Sequence, residues 1–315
     1  MPELTITFFH QILKMFLMLL IGFLAVKAHI MPASCGKGFS QVIVGVIRPC
    51  AILYAFQVEY TPERLKGLLL AVFAAVLSHV VFIFITRLLG SGLYHFTAVE
   101  RASMIYSNSG NLLMPLVAAT MGQEWMFYSC AYMGVLQIFV WTHGKSMICE
   151  EPQIDLKKAF CNLNILAVAV GLILFLLKIQ FSEDIGLALD GIGDTLGAAS
   201  MLSIGISVAT IKSIDVKRIF RVLAVTLHRL ILYPLLMLAI FLLLRLDTLF
   251  PGAHQIIMIS TLGAGAPIGV VVSQMAQLFD KDPDYASFMA VVTMLCSVVT
   301  MPALIWAYEW ITALV

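Results

Sequence analysis

The sequence predicts an all-α integral membrane protein of ten transmembrane helices in two inverted five-helix repeats, the fourth and ninth helices being broken. Three observations carry this. Hydrophobic residues make up 61% of the 315 residues and charged ones only 12%, with a mean hydropathy of +0.99, against roughly 45–50% apolar and about 25% charged in a soluble domain. Apolar runs recur at near-regular intervals from Ile6 to Val315 and leave no polar stretch long enough for a soluble domain. Finally, one offset of 155 residues lays every run of the first half on a run of the second.

A bilayer core of about 30 Å needs roughly 20 apolar residues per spanning helix, and only helices or closed barrels satisfy the backbone there. These runs are too long for barrel strands. Helices are expected near 5–26, 39–59, 66–89, 99–121, 125–147, 161–180, 187–210, 219–245, 253–278 and 284–313, separated by Pro, Gly and charge clusters such as Thr61-Pro62-Glu63-Arg64. The first run follows Glu3 and lacks the basic head of a cleavable signal, so it is read as a membrane helix. Six cysteines show neither a Cys-x-x-Cys pair nor a zinc-like spacing and are read as packing residues.

Ten spans put both termini on one side. The loops on that side carry Arg64, Lys66, Lys178 and Arg245, four basic residues. The opposite loops carry twelve: Lys27, Lys37, Arg87, Arg101, Lys145, Lys157, Lys158, Lys212, Lys217, Arg218, Arg221 and Lys281. The positive-inside rule makes the richer side cytoplasmic and both termini non-cytoplasmic, in a multi-pass protein of the cell (inner) membrane. The net charge of +1 offers nucleic acid no basic patch.

Each half, 1–150 and 151–315, has an odd number of spans, so the halves cross the membrane in opposite directions, as in many secondary transporters. The fourth span reads Tyr106-Ser107-Asn108-Ser109-Gly110-Asn111-Leu112-Leu113-Met114-Pro115 and the ninth Thr261-Leu262-Gly263-Ala264-Gly265-Ala266-Pro267-Ile268-Gly269, with Gly110 falling on Gly265. Proline removes a backbone donor and glycine weakens a helix by about 1 kcal/mol, so each span is expected to unwind near its middle. Bare backbone survives in a membrane only inside protein or beside a wet cavity, and half-helix N-termini there favour anions. Small residues for close helix packing are the competing explanation, but two matching breaks point to a midplane binding site of Asn108, Ser109, Gly110, Asn111, Gly265, Ala266 and Pro267.

Three basic residues stay inside predicted spans. Lys14 is expected to snorkel from near a helix end. Arg48, before Pro49, either holds a carboxylate through its planar fork or pairs with an acid such as Asp194. Arg229 follows His228, and His79 lies in the third span; a histidine facing a cavity can carry a coupling proton, while one bonded within the bundle does not. Gln137 faces the broken fourth span or bonds between helices. No His-Glu-x-x-His, Gly-x-Ser-x-Gly or paired-Asp motif supports an enzyme, and nothing calls for a metal or other cofactor.

The run Asn108 to Pro115, then Gly122 and Thr142-His143-Gly144, together with Gly265-Ala266-Pro267, Ser273-Gln274-Met275, Asp280-Lys281-Asp282 and Thr300-Met301-Pro302, resembles the auxin efflux carrier family. The resemblance spans the chain and implies that the two broken helices cross beside the substrate. It further implies elevator-type transport of a small organic anion, a mono- or dicarboxylate such as malate or malonate, and a homodimer. The short stretch between Gly144 and Phe160 and the absence of an Asn-Pro-Asn signature set the chain apart from the plant auxin exporters and point to a short prokaryotic-type member. A sodium-coupled symporter of the bile-acid superfamily and a passive channel are the alternative readings.

Overall fold

The computed structural model describes residues 3–90, 95–149, 162–210 and 218–314. Lys157, Lys158, Lys212 and Lys217 of the charge count, and Cys161, lie outside the described residues. The chain runs through α1 (Glu3–Lys27), α2 (Cys35–Ala55), α3 (Pro62–Gly90), α4 (Ala98–Ile105), α5 (Ser109–Met121) and α6 (Gln123–Phe139, continued by Val140–Gly144 and Lys145–Cys149). It continues through α7 (Leu163–Leu176), α8 (Glu183–Ala209), α9 (Ile219–Leu243), α10 (Ala253–Gly265), α11 (Val270–Leu278) and α12 (Pro283–Thr312). Six of these, namely α1, α2, α3, α8, α9 and α12, are long and apolar enough to cross a membrane, and α5 and α7 are shorter apolar helices.

Three helices absorb a proline by widening by one residue per turn just before it. π-turns at Ile43–Ile47, Ser109–Leu113 and His228–Leu232 precede Pro49, Pro115 and Pro234. A proline neither donates to the ladder nor tolerates the carbonyl four residues back, and the i→i+5 pattern relieves both.

The broken spans differ from expectation in where they break. The fourth predicted span unwinds at Tyr106–Asn108, between α4 and α5, while Gly110 and Pro115 are helical. Pro115 sits at the start of the regular α-helix Met114–Met121, where its missing N–H has little to lose. In the ninth span Gly265 is the last helical residue, and Ala266–Gly269 is the extended linker. The linkers, not Gly110 and Gly265, therefore meet: Ser107 and Ile268 form an antiparallel bridge.

Close approach of small residues fixes the bundle. A Cβ on Gly22 would lie 2.4 Å from the Leu202 carbonyl oxygen, and one on Gly205 would lie 2.0 Å from that of Leu19, so α1 and α8 touch backbone to backbone. Gly171 of α7 likewise receives the Phe56 ring at the end of α2. Helix α10 packs against both α3 and α12, and the buried side chains of these three helices include Phe82, Leu262 and Met301. Both chain ends lie at one end of the bundle, where Thr5 Oγ1 donates to Glu309 at 3.1 Å. Lys14, expected near a helix end, is exposed near the centre of the 25-residue α1.

Candidate functional site

The two linkers are stitched by backbone bonds. The Asn108 N–H donates to the Pro267 carbonyl at 2.8 Å and the Gly269 N–H to the Tyr106 carbonyl at 3.0 Å. Ile268 N–H is taken by Thr293 Oγ1 of α12 at 3.1 Å. Extended backbone deep in an apolar bundle thus finds its partners in the opposite linker and one threonine, which is what allows it to stay unwound.

On one side of this crossing the backs of two helices end. The carbonyls that close α4 and α10 have no intrahelical donors, and one side chain supplies them. Arg229 of α9, 0% exposed, donates Nε to the Ala266 carbonyl at 2.8 Å, Nη1 to those of Met104 and Ile105 at 3.2 Å, and Nη2 to that of Gly263 at 3.4 Å. A cation there also meets the negative ends of both helix dipoles.

On the other side two helices begin. The N–H groups of Ser109, Gly110 and Asn111 at the start of α5, and of Val270 and Val271 at the start of α11, precede the first intrahelical bonds and have no acceptor among the described residues. Gly110, Asn111, Val270 and Val271 border a cavity of about 580 Å³. Its walls reach from Asn108, Gly110, Asn111, Ile268 and Gly269 to Lys37, Asn162, Thr210 and Pro283, at the end of the bundle away from the chain termini.

Arg48 lies against this cavity with 5% exposure. One Nη donates to Asn111 Oδ1, which also accepts from Ser200 Oγ at 3.3 Å, while Nε is buried without a partner. The pairing with Asp194 is not found: Asp194 accepts instead from Gln123 Nε2 at 2.9 Å, and among the described residues no carboxylate pairs with Arg48. Gly110 packs against the guanidinium, since a Cβ there would lie 3.3 Å from both Cζ and Nε. The Asn108 amide nitrogen is also buried without an acceptor. Two positive helix ends and a guanidinium without an ion-pair partner among the described residues therefore share one cavity wall, and Asp284, which lines the same cavity, forms no ion pair with Arg48.

Of the sequence-derived site residues, Asn108, Gly110, Asn111, Arg48 and Gln137 line the cavity. Ser109, 0% exposed, has its hydroxyl buried without a partner and off the cavity wall. Gly265, Ala266 and Pro267 stand behind the crossing: Gly265 abuts Leu304 and Pro234, and the Ala266 and Pro267 carbonyls serve Arg229 and Asn108. The linker residues that do reach the cavity are Ile268 and Gly269. His79 is fully buried off the cavity, donating Nδ1 to the Ala75 carbonyl at 2.7 Å and stacked on Phe139. Ser200, Ser203 and Ser207 of α8, and Asn164 of α7, also line the cavity and were not anticipated. Their signal was present as a serine at i, i+3 and i+7 on one face of an apolar helix.

The model of the membrane transport protein family, the auxin efflux carrier type, matches the chain twice, over residues 7–153 and 152–305. The chain belongs to this family. It is thus a multi-pass integral membrane transport protein, and the cavity beside the linkers lies in a transporter. No curated protein matches it.

Proposed function

We propose that this transporter is a secondary carrier of small organic anions, mono- or dicarboxylates, bound at the crossing of the two broken helices and moved by elevator-type alternating access. One observation carries the reading: Arg48, buried at the cavity wall beside two half-helix N-termini, has a free Nε and no carboxylate partner among the described residues. A buried cation without a counter-charge is costly, and a bound carboxylate removes that cost. It would dock on the fork of Arg48, with the Asn108 amide and the N–H groups of Gly110 and Asn111 as further donors.

In this reading ten spans form two inverted halves, 1–150 and 151–315, and the double family match and the antiparallel linker bridge support it. The side-by-side packing of α1, α2, α7 and α8 supports an elevator frame against which the crossing moves. The cavity reaches only the end richer in basic loops, which corresponds to a cytoplasm-facing state with both termini outside.

The test is uptake and counterflow of labelled carboxylates in proteoliposomes, with and without proton and sodium gradients. Asn111→Ala is expected to nearly abolish saturable flux at unchanged membrane expression, as is the Asn108→Ala/Asn111→Ala pair. Wild-type flux in Asn111→Ala would remove the site from the crossing. Strict sodium dependence would turn the assignment to a sodium-coupled symporter, and unitary currents to a channel.

A further inference from the structure

The crossing contains a side chain that anion binding does not use. Tyr106, 1% exposed, gives its backbone carbonyl to Gly269 and precedes the Ser107–Ile268 bridge, so it belongs to the crossing itself. Its hydroxyl points the other way, into the π-turn Val140–Gly144 of α6, and lies 2.7 Å from His143 Nδ1 and 3.2 Å from the Phe139 carbonyl. Gly144 permits this, since a Cβ there would lie 2.8 Å from the tyrosine ring. Two turns of α6 below, Gln137 lines the cavity, and Trp141 lines it beside the π-turn's start.

We propose that His143, hydrogen-bonded to Tyr106 at the crossing, is a proton-binding site that couples proton uptake to anion binding in the cavity. This rests on the carrier reading above.

The geometry serves both protonation states. With neutral Nδ1 the hydroxyl donates to it. With a proton on Nδ1 the ring donates to the hydroxyl oxygen, and the hydroxyl turns its own hydrogen to the Phe139 carbonyl. Neither state leaves a buried group of Tyr106 unpaired. His79, stacked on the same tyrosine ring, lacks this: Nδ1 is committed to Ala75 and Nε2 is buried without a partner. His143 is half-buried rather than enclosed, so a proton can reach it.

The surroundings supply the coupling. From α4 the groups facing the ring are the Tyr106 hydroxyl and the charge of Arg101. Glu100 of the same helix is turned to Arg221 and Tyr285. Lys145 follows two residues later on α6 itself, α3 presents His79 stacked on the Tyr106 ring, and α11 has no titratable side chain. With the charge of Arg101 acting on the ring and, among the described residues, no carboxylate hydrogen-bonded to it, a proton on His143 adds to a positive region, and an anion in the cavity offsets it. Each ligand then raises the affinity for the other, which is the thermodynamic content of coupling. One proton entering with one monocarboxylate leaves the transported charge at zero.

The experiment uses full-length protein with two readouts. In nanodiscs without substrate, ring-labelled histidine NMR should show a signal, assigned by its loss in His143→Gln, that titrates between about pH 5 and 8 and whose midpoint moves in Tyr106→Phe. In proteoliposomes, the ratio of labelled malonate or acetate uptake with and without an inward proton gradient should exceed one in wild type and fall to one in His143→Gln, where Gln can still accept from the tyrosine. A gradient response that survives in His143→Gln, or a His143 signal constant across that range, overturns the proposal. If wild type carries neither anion, the carrier reading fails, while the titration and its dependence on Tyr106 still decide the proton site.

Discussion

Two buried arginines, one on each side of the crossing, differ in what surrounds them: one is saturated by backbone carbonyls, and the other borders the cavity proposed as the binding site. Arg229 and Arg48 both lie in or beside a π-turn, are nearly or fully inaccessible, and lack a carboxylate partner among the described residues. Arg229 has four carbonyl acceptors from two helix ends, with Nε and both Nη nitrogens engaged. Arg48 has one acceptor, an unpaired Nε and a cavity beside it, and it lies at the positive end of α5 instead of the negative end of α4. A buried cation whose donors are saturated by negative helix ends stabilises; one left unsaturated next to positive ends carries an electrostatic cost, which is the ground for the proposed anion site.

The contrast is broken most severely at Arg229. Arg229→Met leaves four carbonyls without a donor at about 1–3 kcal/mol each, so a loss of more than about 4 kcal/mol is expected. Thermal unfolding in detergent should shift down by on the order of 10 °C; an unchanged transition would show that the carbonyls find other donors. Arg48→Gln should do the reverse, leaving the transition unchanged or raised because an uncompensated charge is removed. Loss of a charge-assisted contact of about 2–3 kcal/mol then weakens anion affinity by roughly 30- to 150-fold. Equal affinity in wild type and Arg48→Gln would place the anion elsewhere.

A smaller change sharpens the comparison without touching charge. Gly110→Ala puts a methyl 3.3 Å from the Arg48 Cζ and Nε, so the guanidinium must shift by a few tenths of an ångström. A rise in the transport KM of about three- to tenfold is expected, with stability little altered. An unaffected KM would mean that the fork is not held in register by the glycine.

The broken spans were legible because Gly and Pro disfavour helix wherever they stand, and Asn108 and Asn111 because amides are rare in apolar spans. The site of unwinding was not legible. A π-turn rescues Pro115, whereas Tyr106 and Ser107, which carry no helix-breaking signal, unwind because the Tyr106 carbonyl accepts from the Gly269 N–H and the Asn108 N–H finds the Pro267 carbonyl, on either side of the Ser107–Ile268 bridge. The roles of Arg48 and Arg229 were equally open from sequence, since which carbonyls or carboxylates surround a guanidinium depends on helices more than 30 residues away in the chain. His143 was read only as part of the Thr142-His143-Gly144 motif, with no role of its own, because its hydrogen bond to the Tyr106 hydroxyl is made by a residue 37 positions away in the chain.

The sequence by itself determined a helical membrane protein with two interrupted spans, because hydropathy and helix-breaking residues act locally and need no partner to be read. Tertiary structure alone decided which backbone unwinds, which arginine is satisfied and where the cavity lies. Those outcomes depend on acceptors brought from distant segments, and in an apolar bundle every unpaired donor or acceptor must find one.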